Sequence, residues 1–107
     1  MAAPEDEPEN LSKPVAKAKV REITQNSSCV LFTSHALERM KQRDVTTRHV
    51  MNVLRKGHIY DDPIWNNKHQ NWSVNILQRT AGAEIEIVAA IDWPSKLMVV
   101  TVIRRKS

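Results

Sequence analysis

In 107 residues the sequence has only two glycines, one cysteine, one tyrosine and one phenylalanine. With two glycines no glycine-rich phosphate-binding loop can be built. The single cysteine, Cys29, rules out an internal disulfide and any cysteine-based zinc spacing, and a reducing, cytoplasmic setting is the expectation. His35, His49, His58 and His69 have no compact metal-ligand spacing, so no metal or other cofactor is expected. No apolar run approaches 18 residues, and the N-terminus is acidic and proline-bearing. Neither a membrane span nor a cleavable signal peptide is expected.

The remainder is ordinary globular material. The chain is 41% apolar and 26% charged, enough for one domain with a small core. Its net charge of +4 is unevenly distributed: residues 1–17 sum to −2 and residues 18–107 to +6. A small domain this basic favours polyanions through its long-range field, and RNA is the expected partner. "MAAPEDEPENLSKP" has almost no apolar surface, so residues 1–17 are expected to be a disordered acidic tail before a single domain over 18–107.

Along the chain, "VAKAKVREITQN" can form a helix with Val15, Ala18 and Ile23 on one side, and "CVLF" is a short strand or a buried lead-in. Residues 33–43, "TSHALERMKQR", have a helix cap at Ser34, with Thr33 as the alternative, and an apolar stripe of Ala36, Leu37 and Met40. Thr46 caps a second helix, "TRHVMNVLRK", with Val50, Val53 and Leu54 inward and Gly57 placed for a left-handed stop. The period then changes. "HIYDDPIW" is an edge strand broken by Pro63, "NNKHQN" a turn, and "WSVNILQR" alternates Trp72, Val74 and Ile76 against Ser73, Asn75 and Leu77. "EIEIVAAI" puts Ile85, Ile87, Ala89 and Ile91 on one face, and the nearly unbroken "LMVVTVIRR" suggests a central, doubly covered strand. Helices followed by strands indicate an α+β fold, two or three N-terminal helices on one face of a three- to four-stranded antiparallel meander.

One motif stands out. His35, Arg39 and Arg43 lie four residues apart, one above another on the helix. Arginines hold phosphate in bidentate fashion and histidine moves a proton near neutral pH, the requirements of phosphodiester cleavage. A neighbouring Arg⁺ would favour the neutral, basic imidazole. Thr101, a hydroxyl inside "VVTVI", either bonds locally or faces a ligand near that helix. Trp65, Lys68 and His69 in "WNNKHQNW" suit base stacking and phosphate contact, and Arg79 and Arg104 are further candidates for backbone phosphate. The blander alternative is a solvated helix on a non-catalytic module that binds nucleic acid or protein through the same basic face. Arg43 and His49 loosely match the spacing of all-helical HEPN ribonucleases, but the break at Val45–Thr46 and the β-rich half contradict that fold.

With these pieces in place, the chain resembles a bacterial domain-of-unknown-function family that reads T-x-H-A-x-x-R-x-x-x-R, then a capped helix ending in Gly, then a meander closing on an "(V/I)-(V/I)-T-V" strand. The matching segments are residues 33–43, 45–57 and 98–103. That family is similar in layout to small ribonuclease toxins of the RelE and barnase type. The resemblance implies an RNA-cleaving, toxin-like hydrolase module, metal-independent and often neutralised by an antitoxin or immunity protein. It implies site positions at His35, Arg39, Arg43 and Thr101. His49 stands where the family more often has an acid, a departure expected to weaken the helix cap.

Overall fold

A computed structural model describes residues 8–80 and 82–106. Of the tail expected to be disordered, residues 1–7 lie outside the described ones. Residues 13–17 belong to helix α1 (Lys13–Ile23), which opens with the Ser12 hydroxyl accepting from the Val15 amide and with Pro14 in the first turn. Leu11 and Ala16 are buried, so the packed region begins before residue 18. The inner face of α1 is Ala16, Lys19, Val20 and Ile23, whereas Val15 and Ala18 are exposed. Lys19 hides this stripe in the sequence. Its stem is buried while its ammonium pairs with Glu22 and lies 4.5 Å over the Trp93 ring.

Helices α2 (Ser34–Arg43) and α3 (Thr47–Lys56) form where the spacing predicts them. Thr33 caps α2, accepting from the Ala36 amide, and Asp44 ends it in the left-handed region at φ 55°. Thr46 caps α3, and His49 strengthens that cap rather than weakening it. The Thr46 amide donates to His49 Nδ1 at 3.0 Å while the His49 amide donates to Thr46 Oγ1 at 3.1 Å. Arg21 and Arg55 tie α1 and α3 together reciprocally at their C-terminal ends: Arg21 donates to the Arg55 carbonyl and Arg55 to the Thr24 carbonyl.

Gly57 is not a left-handed stop; it is extended, at φ −70° and ψ 176°. Its need is for space. A Cβ there would lie 2.6 Å from the Val53 carbonyl oxygen, 2.8 Å from Ile76 Cγ2 and 2.8 Å from the Leu77 carbonyl oxygen. Only glycine lets the chain leave α3 and join the sheet immediately.

Among the described residues the sheet has six strands: β1 (Val30–Phe32), β2 (His58–Ile59), β3 (Ile64–Asn66), β4 (Asn71–Thr80), β5 (Ala83–Asp92) and β6 (Lys96–Arg105). The order is β1-β6-β5-β4-β2, with β3 also on β4. The long strands β4, β5 and β6 are the expected antiparallel meander. The sheet is wider than expected because β1 adds in parallel beside β6, and "HIYDDPIW" supplies two short pieces rather than one strand. Trp72, Val74 and Ile76 of β4 and Ile85, Ile87, Ala89 and Ile91 of β5 join one buried cluster with Val20, Val50, Val53 and Leu54 of the helices.

Among the described residues no helix packs on the opposite face of the sheet, and this revises β6. It is not doubly covered: Met98, Thr101 and Ile103 are half-buried and Val100 is 37% exposed. Val99 pairs with Ala89 and Thr101 with Val88, leaving Val100 as the extra residue of a β-bulge. The bulge resets the alternation, so Val102 points into the core and Thr101 onto the open face.

Candidate functional site

Helix α2 is fastened to β6 at both ends. Thr33, besides capping the helix, donates its hydroxyl to the Val100 carbonyl at 3.0 Å, and its amide donates to the Val99 carbonyl. At the other end Arg104 donates to the carbonyls of Arg43 and Asp44 at 3.2 and 3.0 Å, satisfying acceptors a helix C-terminus leaves open. The helix therefore runs beside β6 from the bulge to the end of the strand, with Ala36 and Met40 buried.

This holds the polar stripe in place. His35 is exposed and Arg39 half-buried, and Arg39 Nε donates to His35 Nε2 at 3.5 Å, the long limit of a hydrogen bond. Arg39 Nη1 also donates to the Gln42 side chain, which in turn donates to Glu38. Among the described residues neither Arg39 nor Arg43 forms an ion pair, and the first turn of α2 carries no acid. A guanidinium free of carboxylates beside an imidazole can take an anion and leave the ring nitrogen to accept a proton.

The other predicted residues divide into groups. Thr101 faces the open side of the sheet in a row with Val88 and Asn75. His69, in the turn after β3, lines a cavity on that face together with Thr33, so the structure brings it to the start of α2. Lys68 is exposed in the same turn, and the amides of Lys68 and His69 both donate to Asn66 Oδ1. Trp65 lies on β3 across the sheet from α2, edge-on to Trp72 with ring centroids 5.3 Å apart. Arg79 sits at the far end of β4, paired with Glu84 at 2.9 Å, and the Arg104 guanidinium is engaged in the clamp on α2.

Sequence reasoning missed a polar network on the open face. Glu86 of β5 is 3% exposed and accepts from Tyr60 at 2.7 Å, Asn75 at 2.7 Å and Arg105 at 3.0 Å, while Arg105 also reaches Glu84. The available signal was Glu84 and Glu86 alternating against Ile85 and Ile87, since an acid inside an apolar strand needs partners. Burial pushes the Glu86 carboxyl up, but the hydrogen bonds from Tyr60, Asn75 and Arg105 and the Arg105 charge outweigh it, leaving it below its ordinary 4.5. The Tyr60 phenol is raised from 10.0, chiefly because it donates to Glu86, and Arg105 is raised chiefly by the same carboxylate.

The depressed Glu86 contributes stability that is present above 4.5 and lost as pH falls through its folded value. Tyr60 contributes stability present below 10.0 and lost as pH rises through its raised value. Thermal melts from pH 2 to 7 should therefore show wild type losing stability below about 4.5. Glu86→Gln should start lower at neutral pH and show a shallower acid fall. Identical acid limbs in the two proteins would contradict this account of the network.

Among the described residues no three His, Cys, Asp or Glu side chains gather into a cation site, and no helix is long and apolar enough to cross a membrane. Comparison with protein families finds a match to a domain of unknown function, DUF4258, over residues 32–104, from the end of β1 to the arginine that clamps α2. No curated protein and no solved structure matches the chain.

Proposed function

The chain belongs to the DUF4258 family, which assigns it no activity, so we propose one from the geometry of its site: it binds RNA along α2 and cleaves it without a metal ion. The observation that carries this reading is the His35–Arg39 pair, an exposed imidazole and an adjacent arginine with no carboxylate partner among the described residues, on a helix tied at both ends beside an open sheet face. The layout, helices on one face of an antiparallel meander, resembles that of ribonuclease toxins of the RelE and barnase type, and such a module would be neutralised by a partner protein.

In this mechanism Arg39 takes the scissile phosphate, releasing its long contact to His35. Arg43, one helical turn further (~6 Å), takes the neighbouring phosphate. His35 Nε2 removes the ribose 2′-OH proton, the 2′ oxygen attacks phosphorus, and the bond from phosphorus to the 5′ oxygen breaks. Thr101 orients the phosphate from the sheet. His69, which shares a cavity with the start of α2, returns a proton to the 5′ oxygen. The products are a 2′,3′-cyclic phosphate and a 5′ hydroxyl. The nucleophile is internal to the substrate, so no metal ion is needed to deliver it.

Incubating a mixed-sequence RNA with the protein in EDTA tests this. Cyclic-phosphate ends are the expected result. Binding without cleavage would replace the enzyme by a non-catalytic RNA module. Replacing both Arg39 and Arg43 by alanine should weaken RNA binding and lower the slope of log affinity against log salt by about 2. An unchanged slope in filter-binding titrations would place RNA elsewhere than α2.

A further inference from the structure

The open face holds a cavity of about 460 Å³ where β3, β4, β5 and β6 pass the start of α2. That size falls within the ~300–1,000 Å³ typical of small-molecule sites. Val88 and Ala90 of β5 and Met98 and Val100 of β6 make an apolar floor, and the bulge is what turns Val100 and Thr101 outward together. The walls are neutral hydrogen-bonding groups, Asn71, Ser73 and Asn66, with one carboxylate, Asp92. Among the described residues no lysine or arginine lines it, and His69 is the one basic side chain there. The contrast with α2 is chemical: the helix offers cations to phosphate, and the cavity offers an apolar surface and amide groups to something flat, neutral and rich in donors.

We infer that the cavity binds a nucleobase of the RNA, and that Asp92 makes guanine the preferred one; the inference rests on the RNA reading above. A planar ring would lie on the Val88, Ala90 and Met98 floor. Of the four RNA bases only guanine presents two adjacent N–H donors, N1–H and the 2-amino group, which a carboxylate accepts in parallel. The Asn71 amide and the Ser73 hydroxyl can donate to O6 and N7. Thr33 borders the cavity two residues before His35, so a guanosine seated there would bring its own ribose to the imidazole. Cleavage then falls on the 3′ side of guanosine.

The test is a titration of the full chain, followed by ¹H–¹⁵N spectra, with the 5′-monophosphates of guanosine, adenosine, cytidine and uridine and with inorganic phosphate. Guanosine monophosphate should shift the amides of Ser73, Ala90 and Asp92 and saturate at a concentration lower by on the order of tenfold or more. Inorganic phosphate should leave those amides unmoved. Ala90→Leu, which fills the floor, should abolish the shifts, and Asp92→Asn should erase the guanine preference while melting normally. Asp92 is exposed, so that variant decides the matter even if Ala90→Leu fails to fold. Equal binding of all four nucleotides, shifts reproduced by phosphate alone, or a guanine preference that survives Asp92→Asn would each overturn the proposal. RNA bound and cleaved with no base preference would remove the base site and leave the α2 mechanism standing. Guanosine monophosphate bound at these amides, without RNA cleavage, would do the reverse.

Discussion

His35→Ala is expected to lower the rate of RNA cleavage by a factor of about 10²–10⁴, the range over which a positioned proton acceptor contributes. The structure predicts little else from this change. His35 is exposed, and among the described residues its one side-chain hydrogen bond is the 3.5 Å bond from Arg39, so stability should stay within about 0.5 kcal/mol of wild type. RNA affinity should also be nearly unchanged, because the cations on α2 remain. His35→Gln, which restores a hydrogen-bonding side chain but cannot take a proton, should be as inactive as the alanine variant. The same substrate with deoxyribose at the cleaved nucleotide should resist the wild-type protein. Cleavage rates, binding constants and melts on one set of preparations separate these effects. Full activity in His35→Ala would remove the imidazole from the mechanism. A parallel loss of melting temperature and activity would make it a structural residue.

Gly57→Ala should be strongly damaging for a change of one methyl group. Two of the three atoms a Cβ would strike are carbonyl oxygens, Val53 and Leu77, which cannot rotate away as a side chain can, and the third belongs to the fully buried Ile76. The Gly57 amide already donates to the Val53 carbonyl at 2.7 Å, so relief would cost that bond or move β2 off β4. Alanine restricts the unfolded chain and so returns about 0.4–1 kcal/mol, since φ −70° suits it. The overpacking cost, about 1–3 kcal/mol and more against fixed backbone, is larger, and a net loss of about 2 kcal/mol is expected. At roughly 4–8 °C per kcal/mol for a domain of this size, the melting temperature should fall by about 10 °C. Gly82→Ala is the internal control: its φ of +80° gives strain but nothing lies within 4 Å, so its effect should be smaller. A Gly57→Ala variant that melts with wild type would show that the α3–β2 junction yields more easily than its geometry implies.

Several elements were legible because their signals are short-range. The cap at Thr46, the inward Val50, Val53 and Leu54, and the alternation of β4 and β5 all repeat within a few residues, and each is found as expected, while the α2 cap falls on Thr33 with Ser34 already helical. The stripe of His35, Arg39 and Arg43 was legible for the same reason. Other features were misleading locally. Lys19 interrupts the apolar pattern of α1 yet is buried, because Trp93, far along the chain, receives its ammonium. The unbroken apolar letters of β6 suggested two covered faces, when one extra residue at Val100 had shifted the alternation instead.

The candidate site depends even more on distant contacts. Thr33 meets the Val100 carbonyl across 67 positions, Arg104 meets that of Arg43 across 61, and Tyr60 meets Glu86 across 26. Such pairings carry no periodicity, so a single sequence does not announce them. What the sequence alone determined is the helices, the three long strands and the presence of a donor-rich helix, because propensity, caps and alternation act within one or two turns. The tertiary structure decided which strand that helix is clamped to, that the sheet beside it keeps an open face, and that Asp92, Asn71 and Ser73 surround one cavity there. Those follow from strand register and from a single bulge, quantities set by the packing of the whole core rather than by any stretch of it.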